Sequence, residues 1–571
     1  MTWSAETSCG NEQDKIAPYI VPYTRGLVLD VGCGLKRAWP HFVGVDTGHH
    51  FGQGDASVIL TDSRLSCFAD DSWDSVFSSH TLEHIDDTVG ALCDWWRVIK
   101  PGGYLVLYLP HKDLYPNIGQ PGANPDHKHD FEPGDIIDAM KEVAERSGKG
   151  WWMREDEVRG DGNEYSFYQV YQKRAGPGVG FTLWRRNPDG RKRALVVRFG
   201  AIGDQIIAAS ILPQLKEQGF HVTYMTTPTG QEVLQNNPYI DAWWIQDKDQ
   251  VPNPQLGPYL LELANRFDKV INLSESIEGS LLTLGGRPNN TWDDQARRKI
   301  LGSVNYLERT HDIAGVPHVF APRFHRNRVE ENRAVAFKAT LGGPVIYWAI
   351  GGSSHHKIYP FANVVIGWLL QRTPCHVVLG TGPDMLHLEA GIYETLAHQG
   401  FDTSRLHKTG GLWGVRRALS FVEEADVVVG GETGMVNAVS MLDVPTVVML
   451  SHSSHENLTK HWRNTIVLTP ASTPCFPCHR LHYNWDNCHY VEETGGALCA
   501  SNIRPEWVYE AIIQALRSKL YADDLYDADR DEGHAGVDQE LDQPGNDGFR
   551  YGADRSARPD LAAVAALADE D

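Results

Sequence analysis

Short apolar runs that end in glycine turns, separated by helix-length stretches, constrain this chain more than any other feature. Residues 25–110 hold LVLDVG (27–32), FVGVD (42–46), SVFSS (75–79) and YLVLYLP (104–110), all reading as buried strands. Between the last two, TLEHIDDTVGALCDWWRVIK has helical periodicity and stops at Pro101-Gly102-Gly103. Alternating strand and helix predicts a parallel sheet covered on both faces. A second system of this kind starts at ALVVRFG (194–200) and continues through HVTYMTT (221–227) and KVINLS (269–274). A third starts near PVIYWAI (344–350) and continues through HVVLGTG (376–382), DVVVGG (426–431) and PTVVML (445–450). The expected fold class is α/β: a Rossmann-like N-terminal domain followed by two further α/β lobes.

With 571 residues the chain is too long for one hydrophobic core. The expected boundaries are a first domain over 1–173, a Gly-, Pro- and Arg-rich linker over 174–193, and lobes over 194–335 and 336–520. The tail, 521–571, is acidic and poor in large apolar residues, so disorder is expected there. LAAVAALA (561–568) has the composition for a short helix. A net charge of -22 disfavours non-specific grip on nucleic acid, which needs clustered Lys and Arg. The first residues lack the basic-then-apolar pattern of a signal peptide, and no run approaches the roughly 20 apolar residues of a membrane helix. A soluble, cytoplasmic protein is the expectation.

The first candidate site follows LVLDVGCG. Gly32 and Gly34 let backbone approach a ligand, and Asp46, ending the next strand, suits hydrogen bonding to ribose hydroxyls. The order of Asp62, Leu65, VFSSHTLEHI (76–85) and WWRVIKPGGYLVLYLP (95–110) after this turn resembles the class I methyltransferases, in particular the "type 11" group, over about residues 15–173. The resemblance implies an S-adenosylmethionine site. Asp30, Gly32 and Gly34 would line the methionine and ribose side, and Asp46 would hold the ribose hydroxyls. Asp62 would stand near the adenine amine, Leu65 would pack on the ring, and Ser79 and His80 would border the methionine end. The short stretch from Gly34 to Asp46 implies a reduced first helix, and the turn has only two of the usual glycines. His80 is the candidate base on an acceptor hydroxyl, since imidazole titrates near neutrality; a cofactor-packing or capping histidine is the alternative. Glu83 and His84 read as structural. His111, His127 and His129 flank a Pro/Gly-rich loop and read as shaping an acceptor pocket, with no paired spacing to suggest a metal.

The second candidate site is assembled from distant pieces. RFGAIGD (198–204) follows a strand and opens a helix, with Gly203 freeing the turn and Asp204 at the helix N-terminus. A carboxylate there is also a common helix cap. GGSSHHK (351–357) supplies hydroxyls and a cation, and GGETGM (430–435) repeats the strand-turn-helix pattern suited to a diphosphate. With NYLERTHDIAGV (305–316) and GGETGMVNAVSMLDVPTVVML, these pieces resemble glycosyltransferase family 9, the ADP-heptose heptosyltransferases, over about residues 193–515. That resemblance implies a two-lobed GT-B fold with a cleft active site. Asp204 would be the base, and no metal would be required. Lys357, Ser353, Ser354, Thr433 and Gly434 would stabilise the leaving nucleoside diphosphate, with Gly203 beside them. Glu432 would contact the donor, and Asp384 would meet its ribose. Gly431, Glu432, Met435 and Asn437 depart from the family's late loop, so the identity of the sugar does not follow.

Cys475, Cys478, Cys488 and Cys499 invite a structural-zinc reading; reduced thiols packing a loop, and disulfides, stay open. The expected activity is a bifunctional transfer of sugar and methyl groups to a glycan-type acceptor. The rivals are a glycosyltransferase with a non-catalytic scaffolding N-terminal domain, and a virus-encoded enzyme acting on nucleic-acid bases.

Overall fold

The structure is a computed structural model that describes residues 12–34, 36–47, 58–182, 190–274, 293–480, 485, 488–528 and 549–552. The chain packs as two compact units, Met1–Leu195 with Gly219–Pro228 and Ala242–Val270, and Val196–Gln218 with Thr229–Asp241 and Ile271–Asp571. The architecture is α/β throughout.

The first sheet has eight strands: β1 (Val28–Val31), β2 (Val43–Asp46), β3 (Val58–Leu60), β4 (Trp73–Ser79), β5 (Ile99–Pro110), β6 (Trp151–Arg159), β7 (Ser166–Lys173) and β8 (Val179–Phe181). Their order is β3-β2-β1-β4-β5-β7-β6-β8. The β3-to-β5 half is parallel, as the strand-helix alternation requires. β7 then returns antiparallel to β5 and pairs antiparallel with β6. β8 comes from the stretch expected to be linker and adds parallel to β6. The helix Thr88–Val98 starts at Asp87, whose carboxylate accepts the Gly90 amide at 2.9 Å, and it buries Leu92, Trp95, Trp96 and Val98 against the sheet. The indole N–H groups of Trp95 and Trp96 donate to the Ser63 and Lys149 carbonyls, so these large rings enter the core without orphaned donors. Among the described residues between β1 and β2 there is no helix, as the short spacing implies.

A second sheet runs β11-β10-β9-β12, from β9 (Arg193–Val197), β10 (His221–Thr226), β11 (Ala242–Ile245) and β12 (Lys269–Asn272). The third contains β13 (Val345–Ala349), β14 (His376–Gly380), β15 (Leu406–Lys408), β16 (Val427–Gly430), β17 (Thr446–Met449) and β18 (Thr465–Leu468). Tyr490–Val491 (β19) and Gly496–Ala497 (β20) form a separate hairpin, and Phe549–Gly552 (β21) closes the third sheet in the order β15-β14-β13-β16-β17-β18-β21. β13 to β18 are parallel, and the Val- and Ile-rich runs are buried, as strands covered on both faces should be. The last helix runs Pro505–Ala528, so the start of the expected tail is helical, and β21 pairs antiparallel with β18. LAAVAALA (561–568) lies outside the described residues. No helix among the described residues is long and apolar enough to cross a membrane.

Candidate functional sites

In an open parallel sheet, ligands bind beyond the carboxyl ends of the strands where strand order reverses. The first sheet reverses between β1 and β4. The loop after β1 carries Gly32 and Gly34 at φ +74 and +56, in the left-handed region that glycine adopts freely. A Cβ on Gly32 would stand 2.1 Å from Thr81 Oγ1, so the loops after β1 and β4 fit only with glycine there. Asp46, at the end of β2, accepts the Gly34 amide at 3.1 Å and is tied to the turn expected to cradle the cofactor. Asp30 is buried and accepts the Ala38 amide at 3.0 Å; burial raises its carboxyl to about 7.

The remaining first-site residues divide. Asp62 accepts from Ser66, which holds its carboxyl below the usual range, and it stays open to solvent. Ser79 is buried, and its hydroxyl has no hydrogen-bond partner among the described residues. Leu65 is fully buried within the core with Val45, Leu92 and Trp95, leaving no exposed side-chain face to pack on a ring. His80 has φ +49, a strained conformation for a non-glycine residue, and its Nε2 lies 2.9 Å from Ser166 Oγ. Burial pushes its imidazole down to about 3, so it is neutral at physiological pH and a weaker proton acceptor than an exposed histidine. His129 Nε2 meets the Ile85 carbonyl at 3.1 Å, and the His111 ring packs edge-on to Phe167; both brace the loop.

The third sheet reverses between β13 and β16. The loops Gly351–Lys357 and Gly431–Gly434 leave these two strands side by side. A Cβ on Gly431 would stand 2.8 Å from the Lys357 carbonyl, and one on Gly352 would stand 2.8 Å from Lys357 Cβ. Lys357 Nζ reaches Ser353 Oγ at 3.3 Å. Burial pulls its ammonium below the usual range, opposed by the charges of Glu432 and Asp204. The hydroxyls of Ser354, Thr433 and Thr381 (the last in the loop after β14) are buried without hydrogen-bond partners among the described residues. Asp384 lies exposed in the turn Pro383–Met385.

Glu432 faces inward. It accepts the Ser451 and Ser453 amides at 3.2 and 3.0 Å and pairs with buried His452. Burial works against its charge, yet His452, Lys357 and the Ser453 amide hold its carboxyl below the usual range. Its oxygens therefore organise the loop after β17.

Asp204 sits in the first turn of the helix Ile202–Ala209. One oxygen accepts the Ala201 amide at 2.8 Å, and the other pairs with the buried Arg198 guanidinium at 2.9 Å. The helix-cap alternative is thus real, but the carboxylate remains partly exposed. Gly203 faces the helix Gly434–Val439; a Cβ on it would lie 3.0 Å from Asn437 Nδ2 and 3.5 Å from Gly434 Cα.

Cys475, Cys478, Cys488 and Cys499 are free thiols, so the disulfides left open by the sequence are not formed. Burial raises the Cys478 and Cys488 thiols to about 12 and about 11 and raises Cys499 further. Among the described residues, two groups bring three metal-competent side chains within 4.8 Å of one another: Glu83 with His84 and His127, and His356 with Glu432 and His452. Local sequence could not reveal either group, because each is assembled from separate loops.

Residues 29–107 match the family described as a methyltransferase domain. Over 140 residues the chain is 29% identical to a sterol 24-C-methyltransferase of Eremothecium gossypii, a match covering 20% of this chain and 36% of that protein. The chain therefore spans only about a third of the curated relative's length. Among solved structures, a family 9 glycosyl transferase from Veillonella parvula is 15% identical with a TM-score of 0.43, covering 57% of this chain and 98% of that one. The E. coli ADP-heptose lps heptosyltransferase II is 16% identical with a TM-score of 0.41, covering 57% and 99% respectively. The chain carries a methyltransferase-like domain at its N-terminal end, ahead of the α/β region formed by the second and third sheets.

Proposed function

We propose that the chain is a bifunctional transferase. Residues 1–173 bind S-adenosylmethionine and methylate an acceptor, and the lobes at 194–335 and 336–520 move a sugar from a nucleoside diphosphate to a glycan-type hydroxyl. The observation that carries the sugar-transfer half is the set of buried, partnerless hydroxyls of Ser354, Thr381 and Thr433, in the loops after β13, β14 and β16, with Lys357 in the first of these loops. A buried unsatisfied hydroxyl costs about 1–3 kcal/mol. A diphosphate, rich in acceptor oxygens, removes that cost and supplies the charge that Lys357 complements.

In this reading Asp204 takes the proton from the acceptor hydroxyl as its oxygen bonds to the anomeric carbon. The bond from that carbon to the diphosphate oxygen breaks, and the leaving charge falls on Lys357, the hydroxyls, and the amides around Thr433 and Gly434. Glu432 acts by holding the loop, and Asp384 stands exposed for the donor ribose. For methyl transfer, Gly32, Gly34 and Asp46 form the cofactor cradle, supported by Asp30 and Asp62, with Ser79 and His80 at the methionine end. The neutral, pinned imidazole of His80 favours a second reading, in which this domain binds cofactor without His80 acting as base.

Ligand-shift melting tests both halves, because a bound ligand raises the melting temperature by mass action. S-adenosylhomocysteine and one nucleoside diphosphate should each stabilise the protein. A shift with neither overturns the bifunctional reading. Cofactor binding without methylation of any glycan acceptor supports the scaffolding version.

A further inference from the structure

Glu83 is the least explained side chain in the N-terminal domain. It lies in the turn Leu82–His84 just beyond β4, is fully buried, and neither carboxylate oxygen has a hydrogen-bond partner among the described residues. Its surroundings are imidazoles. His127 Nε2 stands 3.9 Å from Glu83 Oε1, His84 Nε2 4.0 Å and His80 Nδ1 3.8 Å. These gaps are too long for hydrogen bonds. Two ligands at about 2.0–2.2 Å from a common tetrahedral metal stand roughly 3.3–3.6 Å apart, so an inward shift of about half an ångström brings these atoms into coordination range.

The supporting contacts are those that a metal site needs. His84 Nδ1 lies 3.2 Å from the Asp126 carbonyl, an acceptor, which places the proton on Nδ1 and orients the ring with Nε2 4.0 Å from Glu83 Oε1. The His127 ring packs across Tyr115 at 5.4 Å and edge-on to His84 at 4.8 Å. The Lys128 and His129 amides both donate to the Glu83 carbonyl, at 2.7 and 3.2 Å, fastening the His127 loop to the turn. A fully buried carboxylate with no hydrogen-bond partner among the described residues is costly without a compensating cation.

We propose that Glu83, His84 and His127 bind a divalent first-row transition-metal ion, with a coordination position left for an oxygen ligand. Two imidazoles and a carboxylate form an open set suited to zinc, iron, cobalt or manganese. The turn adjoins Ser79 and His80. If the methyl-transfer reading holds, the ion is placed to bind the acceptor oxygen and favour loss of its proton; metal binding itself does not depend on that reading.

The test is a cobalt(II) titration of the full chain followed by visible absorption. Wild type should show d–d bands from a nitrogen and oxygen set, and Cys475→Ser/Cys478→Ser should retain them. Glu83→Gln and His127→Ala should weaken binding at least tenfold. Glu83→Gln is nearly isosteric, and an unchanged metal-free melt will show that it folds. Absence of the bands in wild type, their loss with the cysteines, or their persistence in both Glu83→Gln and His127→Ala overturns the proposal. Cobalt binding without an S-adenosylhomocysteine shift keeps the metal site and rejects the methyl-transfer reading.

Discussion

Gly203 and Gly434 meet where the helices Ile202–Ala209 and Gly434–Val439 begin. A Cβ on Gly434 would lie 2.7 Å from the Ile202 side chain and 3.0 Å from the Gly203 amide nitrogen. The turn bearing Asp204 is therefore located by the loop that follows β16. Gly434→Ala must push the Ile202–Gly203 backbone, and overpacking of this kind costs about 1–3 kcal/mol. Gly203→Ala meets first the side-chain amide of Asn437, at 3.0 Å, which has to give by only a few tenths of an ångström while keeping its hydrogen bond to the Thr433 carbonyl. Denaturant unfolding should show a clear loss for Gly434→Ala and a much smaller one for Gly203→Ala. Equal losses would mean that the contact does not position the turn.

The partnerless Thr433 hydroxyl gives an opposite pair of effects. Thr433→Val removes a buried group without a partner, so the ligand-free protein should gain about 1 kcal/mol. The same variant should bind its nucleoside diphosphate roughly tenfold more weakly, the equivalent of one lost hydrogen bond. Calorimetric titration beside a melting curve reads both. A variant that loses stability without losing affinity would make Thr433 a structural residue.

Some of this was legible in the sequence because it is local. The apolar runs became β1, β2, β4 and β5 and the central strands of the third sheet, and the glycine turn after β1 was visible as Gly32 and Gly34, both at positive φ. What escaped depends on packing between segments. Leu65 looks like a pocket residue beside Asp62, but it is buried in the core cluster that also holds Trp95. Glu432 occupies the position of a donor contact, yet its Oε1 accepts the amides of Ser451 and Ser453 and its Oε2 meets the Ser451 hydroxyl and His452. Val179–Phe181, composed like a linker, is held by strand pairing with Trp151–Met153. The grouping of Glu83 and His84 with His127 was not legible, because His127 arrives from a loop with no regular spacing to them.

Asp30 makes the stability of the N-terminal domain depend on pH. Its carboxyl is raised by burial from 3.8 to about 7, against the Ala38 amide. Between these values the folded protein holds a proton that the unfolded chain releases. The contribution is therefore full below about pH 3.8 and is lost as pH rises toward about 7. Asp30→Asn keeps an acceptor for Ala38 and removes the titration. Ligand-free unfolding followed across this range should show a flatter profile in the variant. An unchanged slope would place the titration elsewhere.

Substitution can separate the structural duty of Asp204 from the base role proposed for it. Its contacts to Ala201 and Arg198 fix the helix start, while its exposed edge is assigned to the acceptor proton. Asp204→Asn retains an oxygen for the Ala201 amide, so the cap survives with only the ion pair weakened. Loss of a general base typically costs about 10²–10⁴-fold in rate. The variant should fold, bind nucleoside diphosphate with near-normal affinity and transfer sugar at least a hundredfold more slowly. Asp204→Ala, which also loses the cap, should in addition melt earlier. If Asp204→Asn turned over normally while Asp204→Ala failed only through instability, the residue would be a helix cap and another group would be the base.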